Sequence, residues 1–393
     1  MICVLKATST IFADKVKMAF HDTIEHMRSK ILNYSNLLTA PALLYGAVMA
    51  GRNTLYDLFP ALSQPVEIPV ICVGNLTTGG TGKTPMVAYL SHYFHKHDLT
   101  VAILSRGYGR EKEQDPKLIT KASTIENQAT RELGDEALML HQQIPDAALV
   151  LDSDRVRGAQ TAINQLAPDL LLMDDGFQHR RLRRNFNLVM IDSQKLFGNH
   201  RLLPAGPLRE PLSALKRADA VVLNKFDQRQ PHFYSETAEI LSHISPSKVF
   251  CSSYHFRRFS AANGSRALSL SEVKKLGPLC ACSGLANNDY FFAQLRSRGL
   301  QLEETASFTD HHNYRSTDLK RLMTMSGSRP LITTAKDAVK IKALAKKQEL
   351  DLLQQLWIAE IALKIDNENT FLKLFEPFIR SKTGAQINLH THD

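Results

Sequence analysis

The residues best suited to do chemistry in this chain lie together in Val70-Ile71-Cys72-Val73-Gly74-Asn75-Leu76-Thr77-Thr78-Gly79-Gly80-Thr81-Gly82-Lys83-Thr84-Pro85. A β-branched run enters a glycine-rich turn, then Gly82-Lys83-Thr84, then a helical pattern carried by Met86, Val87, Leu90 and Phe94. Gly79, Gly80 and Gly82 let the backbone from Thr77 and Thr78 through Thr81 curl its N–H groups around a polyphosphate. Lys83 brings a point charge to the β and γ oxygens, and Thr84 offers a hydroxyl ligand for Mg²⁺. The helix N-terminus adds its dipole, and Pro85 sits in the first turn, where a missing N–H costs nothing. The strict pattern G-x-x-x-x-G-K-[ST] places glycine where Thr77 stands, so the loop is a variant whose tight turn moves to Gly79 and Gly80. The chemistry implied is the binding of a nucleoside triphosphate.

A metal needs a second ligand. Asp169-Leu170-Leu171-Leu172-Met173-Asp174-Asp175-Gly176 reads as an apolar strand ending in two carboxylates. Beside a phosphate loop, an acidic residue at such a strand end serves Mg²⁺. Alone, paired aspartates are as well read as strand-end caps. Two further motifs bear on the nucleotide. Asn224-Lys225-Phe226-Asp227 follows an apolar run and looks like the guanine-reading N-K-x-D of GTPases, or else is a strand-end turn. Thr334-Ala335-Lys336-Asp337 repeats the look and lowers the specificity of both.

The elements that must position these residues follow from periodicity. From Glu67 onward, short apolar runs alternate with helical patterns, the signature of parallel βαβ units. Strands are predicted at residues 68–73, 100–104, 147–151, 170–173 and 188–191. Residues 198–211, rich in Pro and Gly, read as a functional loop or the approach to a domain boundary. A second series is predicted at 220–223, 249–254, 279–283, 331–334 and 356–361. The expectation is an α/β protein, a P-loop parallel-sheet domain at 61–205 and a second α/β lobe at 206–393, preceded by an extension at 1–23 and a helical segment at 24–60.

Composition bounds the class. The 393 residues, 44% hydrophobic and 22% charged, describe a globular chain, not a disordered, collagenous or disulfide-stapled one. Five scattered cysteines suit a reducing compartment. Forty-eight Lys and Arg against 39 Asp and Glu leave a net charge of +9, an attraction to nucleic acid, membrane headgroups or a phosphorylated substrate. The stretch before Phe20 lacks the apolar core of a secretory signal. Residues 37–50 are uncharged over fourteen positions and interrupted by Pro41, short of the roughly 20 apolar residues of a membrane span. A buried core helix and a segment lying on a bilayer, flanked by Arg28, Lys30 and Arg52, are both open readings.

The remaining motifs narrow the choice. Ser105-Arg106-Gly107-Tyr108-Gly109-Arg110 closes the second predicted strand, Gly134-Asp135-Glu136 opens a helix, and Asp174-Asp175-Gly176-Phe177-Gln178-His179 follows the fourth strand. Leu203-Pro204-Ala205-Gly206-Pro207-Leu208-Arg209-Glu210-Pro211 and Asp310-His311-His312-Asn313-Tyr314 come later. In this order, with Gly74-Asn75-Leu76-Thr77, they resemble the tetraacyldisaccharide 4'-kinase family of lipid A biosynthesis over residues 37–361. His200 departs, in a loop where that family commonly has glycine.

The resemblance implies ATP-dependent, Mg²⁺-assisted transfer of a γ-phosphoryl group to the 4'-hydroxyl of a tetraacyldisaccharide 1-phosphate, giving lipid IVA. It implies a peripheral enzyme on the cytoplasmic face of the bacterial inner membrane, which moves the bilayer reading of 37–50 ahead. It gives Asp135 the role of base and His311 that of its partner, with neighbouring His312 an alternative. Read without it, Asp135 is equally a helix N-cap. Asp174 is expected to serve Mg²⁺, and Asp175 the transferring group. Arg106, Tyr108, Arg209 and Glu210 are expected on the acceptor side, where arginine's fork suits phosphate, with Gln178 and His179 in the same cleft. The basic run Arg180-Arg181-Leu182-Arg183-Arg184 is a solvated turn or a headgroup contact. Two rival classes remain, a P-loop GTPase or assembly ATPase resting on the N-K-x-D look, and a nucleic-acid ATPase resting on net charge alone, which lacks aromatic stacking clusters.

Overall fold

The computed structural model describes residues 38–107, 116–120, 135–226, 233–310, 312–348 and 350–380. The chain begins there with helix α1 (Thr39–Leu58), with Pro41 in its first turn. Ala42 and Met49 are buried, Tyr45, Arg52 and Asn53 half-buried, at the three- and four-residue spacing of one helix face. The opposite face is open. Leu43, Leu44, Val48, Leu55 and Leu58 are each at least half exposed, followed by Phe59 and Leu62. Among the described residues no helix is long and apolar enough to cross a membrane.

Next come β1 (Val70–Gly74), α2 (Lys83–Lys96), β2 (Val101–Ser105), β3 (Lys117–Ile119), α3 (Asp135–Gln143), β4 (Ala148–Leu151), α4 (Arg155–Leu166), β5 (Leu170–Asp174), β6 (Phe186–Asp192) and β7 (Ala220–Asn224). After α5 (Phe233–Leu241), β8 (Val249–Ala261) leads into β9 (Ala267–Leu268), β10 (Leu279–Ser283), α6 (Asn288–Ser297), β11 (Leu302–Ser307), α7 (Ser316–Ser326), β12 (Leu331–Thr334), α8 (Ala335–Lys347) and β13 (Leu356–Ile365). One sheet runs through both lobes in the order β11-β10-β12-β13-β8-β7-β6-β1-β5-β2-β4-β3. Within each lobe the central strands pair in parallel, with β3 antiparallel at the edge. Helices cover both faces, so the strands carry apolar runs without alternation, and β1, β5 and β7 are buried at every position.

Every strand predicted from the apolar runs is present. Three short ones, β3, β9 and β11, were not legible. β11 reads Leu302-Glu303-Glu304-Thr305-Ala306-Ser307 and is mostly exposed, because a sheet edge tolerates charge. The expected boundary at 205/206 falls inside a continuous core. Leu208, Ala214, Leu215, Val221 and Leu223 pack with Cys72, Leu171 and Phe177, and β7 extends the first sheet beside β6. The second lobe's cores draw on residues from Phe259 to Ala359. The division lies within the β8–β13 ribbon, whose antiparallel pairing shifts register between Glu360 and Ile361.

The helical segments that follow β13 then return to the first lobe. Phe371, Phe375 and Phe378 pack with Phe94, Phe186 and Phe250, the Phe186–Phe375 centroids lying 5.0 Å apart. An apolar residue announces that it will be buried, not in which core. Phe375→Ala should therefore destabilise the phosphate-loop lobe by about 3–5 kcal/mol, seen as a lower urea midpoint for the fluorescence of an ATP analogue bound there.

Candidate active site

The site forms where β1 lies between β5 and β6 and the chain crosses over in opposite directions, the crevice in which open parallel sheets bind ligands. Beyond Gly74 the backbone folds back on itself before α2. Buried Asn75 donates from Nδ2 to the Thr77 carbonyl (2.7 Å) and to Thr81 Oγ1 (3.1 Å). Thr77 bridges antiparallel to Leu208, an extended position that has no need of glycine. The tight turn sits instead at Gly79, with φ of 103°, and the Thr81 N–H donates to its carbonyl. Gly82, with φ of 93°, precedes α2, and a Cβ there would stand 2.0 Å from Asn224 Nδ2. Only glycine fits. Thr78, Gly79 and Gly80 form the exposed rim, and Lys83 and Thr84 open the helix.

Asp174 ends β5, buried. Asp175 follows in the left-handed region, with φ of 52°, a conformation that costs a side-chain-bearing residue about 1–3 kcal/mol. Its carboxylate lies 3.4 Å from Lys83 Nζ and accepts from Arg209 Nη1 at 3.0 Å on both oxygens. Burial pushes its pKa up, but Lys83 and Arg209 together outweigh burial and hold it below the usual carboxylate range. The aspartate is an anion locked between two cations.

Arg106 is exposed at the end of β2, close enough to Arg155 and His179 to lower the proton affinity of both. Arg155, buried at the start of α4, donates to the Asp152 and Asp174 carbonyls. Burial lowers its pKa to about 10. With His179, Arg181, Ser153, Asp154, Val156 and Leu182 it lines a cavity of 350 Å³. Burial, reinforced by Arg155, lowers the His179 pKa to about 4, so the imidazole there is neutral. Arg155 was not singled out from the sequence. Its only signal was Asp152-Ser153-Asp154-Arg155 at the end of an apolar strand. Gln178 donates to the Asn75 carbonyl and ties this loop to the phosphate loop.

Glu210 is not open to a substrate. Its fully buried carboxylate accepts from Arg52 (3.2 Å), Asn53 (3.0 Å) and Arg217 (2.5 Å). Arg52, expected to meet lipid, is thereby turned inward. The basic run is mostly committed too. Arg180 pairs with Asp57, Arg181 with Asp154, and half-buried Arg184 donates to the Gly176, Phe177 and His179 carbonyls. His200 has φ of 58°, which explains why glycine suits its position.

Both N-K-x-D lookalikes are architectural. Asn224 Nδ2 donates to the Thr81 carbonyl (2.9 Å) and the Tyr254 hydroxyl (2.7 Å), while Oδ1 accepts from Ser252, leaving nothing for a base. Lys225 pairs with Asp192 at 2.5 Å. Asp227 lies outside the described residues. Asp337 is buried and accepts from the Gly284 N–H and from the Thr334 and Tyr314 hydroxyls.

Tyr108 and His311 also lie outside the described residues, and Asp135 opens α3. That helix packs on α8 of the second lobe, and α8 holds residues on either side of His311, through Lys336 to the Asp310 carboxylate and Lys340 to the His312 carbonyl. His312 itself faces Asp318 at 3.0 Å and stacks near Phe308.

A parallel sheet with a glycine-rich loop, Lys83 at the start of its helix and an acidic strand end defines a P-loop phosphotransferase. The model of the family described as tetraacyldisaccharide-1-P 4'-kinase matches residues 34–380, and the chain belongs to that family. It is 38% identical over 313 residues to a tetraacyldisaccharide 4'-kinase of Geobacter sulfurreducens, covering 78% of this chain and 84% of that one. A relative of the same name in Pelobacter propionicus is 35% identical over 315 residues, covering 79% and 84%. A crystal structure of LpxK from Aquifex aeolicus in complex with ATP superposes with a TM-score of 0.70 at 29% identity, over 88% of this chain and 99% of that one. The chain is thus an enzyme, a kinase, with ATP and Mg²⁺ as the cofactors of its reaction.

Neutral, half-buried His179 yields a pH prediction. The unfolded chain takes up a proton near pH 6.5 that the folded chain refuses until about pH 4, so this residue's contribution to stability falls as pH drops through that window. The loss is at most about 1.4 kcal/mol per pH unit. Urea midpoints at pH 7 and pH 5 should therefore differ less for His179→Gln than for the unaltered protein.

Proposed function

We propose that the chain transfers the γ-phosphoryl group of ATP to the 4'-hydroxyl of a tetraacyldisaccharide 1-phosphate, forming lipid IVA, at a membrane surface. The observation that carries this reading is the convergence of Lys83 and Arg209 on Asp175 beside the phosphate loop. Phosphoryl transfer needs positioning and neutralised charge more than covalent chemistry, and this cluster supplies both. The loop amides and the α2 N-terminus hold the phosphates, and Lys83 meets the β and γ oxygens. The Thr84 hydroxyl and the Asp174 carboxylate are the hard oxygen donors that would hold Mg²⁺. Among the described residues no group of three or more His, Cys, Asp or Glu could enclose a metal, and Mg²⁺ needs no such cage. When bound, Mg²⁺ neutralises charge developing on the transferring group.

Asp135 accepts the hydroxyl proton and His311 orients it. Two things support the pair. The α3–α8 packing ties the helix that Asp135 opens to the helix holding Asp310 and His312, and the pairing of His312 with Asp318 favours His311 over it as the partner. Asp175 keeps Lys83 and Arg209 aimed across the site. Arg106 and Tyr108, with the cavity around Arg155, provide donors for the acceptor's 1-phosphate and sugar hydroxyls. The open face of α1 suits an interfacial helix, its apolar residues sunk in lipid while its other face grips the lobe. The enzyme accordingly sits peripherally on the cytoplasmic face of the inner membrane, where ATP is present, and has no nucleic-acid partner.

Radiolabelled ATP supplied with the lipid disaccharide 1-phosphate in detergent should label the lipid, and Lys83→Ala should lower that rate by at least about a hundredfold. Label released only as inorganic phosphate, or nucleotide binding selective for GTP, would sink the kinase reading. Leu44→Asp with Leu55→Asp should abolish flotation with anionic phospholipid vesicles while leaving thermal stability intact. Unchanged flotation would remove α1 from the membrane contact.

A further inference from the structure

Arg209 belongs to a loop without regular secondary structure, yet its aim at Asp175 is fixed from both sides. Its N–H donates to the Leu76 carbonyl of the phosphate loop at 2.7 Å. Its own carbonyl accepts from the Tyr45 hydroxyl of α1 at 2.8 Å. The next residue, Glu210, is the buried carboxylate clamped by Arg52 and Asn53 of α1 and by Arg217. Gly46 of α1 lies so close to this loop that a Cβ would stand 2.7 Å from Leu202 Cδ1. Further along, α1 grips the loop that follows Asp175, where Arg180 donates to the Asn53 carbonyl and the Asp57 carboxylate. A helix that served only as an anchor would need apolar packing alone. This one places its polar contacts on the two loops that bring Asp175 and Arg209 together.

We infer that α1 is part of the phosphoryl-transfer apparatus, with Tyr45 and Glu210 acting as positioning residues that aim Arg209 at Asp175. The inference rests on the role given above to Arg209 and Asp175. Its physical basis is that a loop without regular secondary structure carries the second cation of the cluster and takes its position from these contacts, and a displacement of about 1 Å in such a group costs far more rate than stability. The helix that meets the membrane and the cation that meets the reacting phosphoryl group are then two ends of one rigid link.

A double-mutant cycle on the full chain tests it, reading kcat and KM for ATP with the lipid acceptor in detergent. Tyr45→Phe removes a single hydroxyl. It should lower kcat about 3- to 10-fold with KM for ATP and thermal midpoint unchanged. In an Arg209→Ala background the same substitution should have no further effect, because the group it positions is gone. Glu210→Gln, put through the same cycle, should likewise lower kcat only where Arg209 is present, with a lower thermal midpoint because Arg52 and Arg217 lose their buried counter-charge. If either substitution lowers kcat by the same factor in both backgrounds, or not at all, the positioning role is overturned. If Arg209→Ala alone keeps full activity, the assignment of the Asp175 cluster fails first, and the inference with it.

Discussion

Asp175 lies between Lys83 and Arg209, and most of the structure can be understood as what holds those three side chains together. They come from three separate segments, the turn after β5, the first residue of α2 and the 201–210 loop. Burial alone would push the carboxylate toward its neutral form, and two cations reverse that. The left-handed backbone at Asp175 is an unfavourable conformation that persists because the surroundings over-determine it. Its N–H is still bonded to the Val73 carbonyl of β1, so the strained turn is pinned to the central strand.

The second lobe reaches the same site through polar contacts. Tyr254, on the ribbon that joins the lobes, bonds Asn224, which in turn bonds the Thr81 carbonyl inside the phosphate loop. Lys225, paired to Asp192, also approaches the Gly80 carbonyl at 3.3 Å and lies over the Tyr290 ring of α6. Gly82 can approach this network only because it has no side chain. In the low-dielectric interior such a network is costly to leave half satisfied, so phosphate loop and interlobe ribbon are fixed relative to each other. The aromatic return of Phe371, Phe375 and Phe378 secures the ribbon's far end in the first lobe.

Much of this was legible from residues alone, and the reasons it was legible are local. Strands covered on both faces must be apolar throughout, so β1, β5 and β7 declare themselves. A phosphate loop needs glycines, a lysine and a hydroxyl in fixed order, so 79–84 declares itself, including the shift of the tight turn away from Thr77. What misled was equally local. Asn224-Lys225 has the spacing of a base reader, but its amide is spent on Thr81, Tyr254 and Ser252. Glu210 and Arg52 look like surface charges for substrate and lipid, and instead satisfy each other. Arg155 carried no motif of its own.

The α/β class, the phosphate loop, the acidic strand end and the family are all readable from residue order, because each is a pattern along the chain set by backbone geometry and side-chain chemistry. Only the tertiary structure decided which core the last phenylalanines join, where one lobe ends and the next begins, and which charges face a ligand and which face each other. Those outcomes depend on partners that the chain brings together only on folding, as when Tyr45 meets Arg209 across 164 residues. A charge or an apolar side chain states that it must be satisfied. The partner that satisfies it is chosen only when the sheet and helices have assembled.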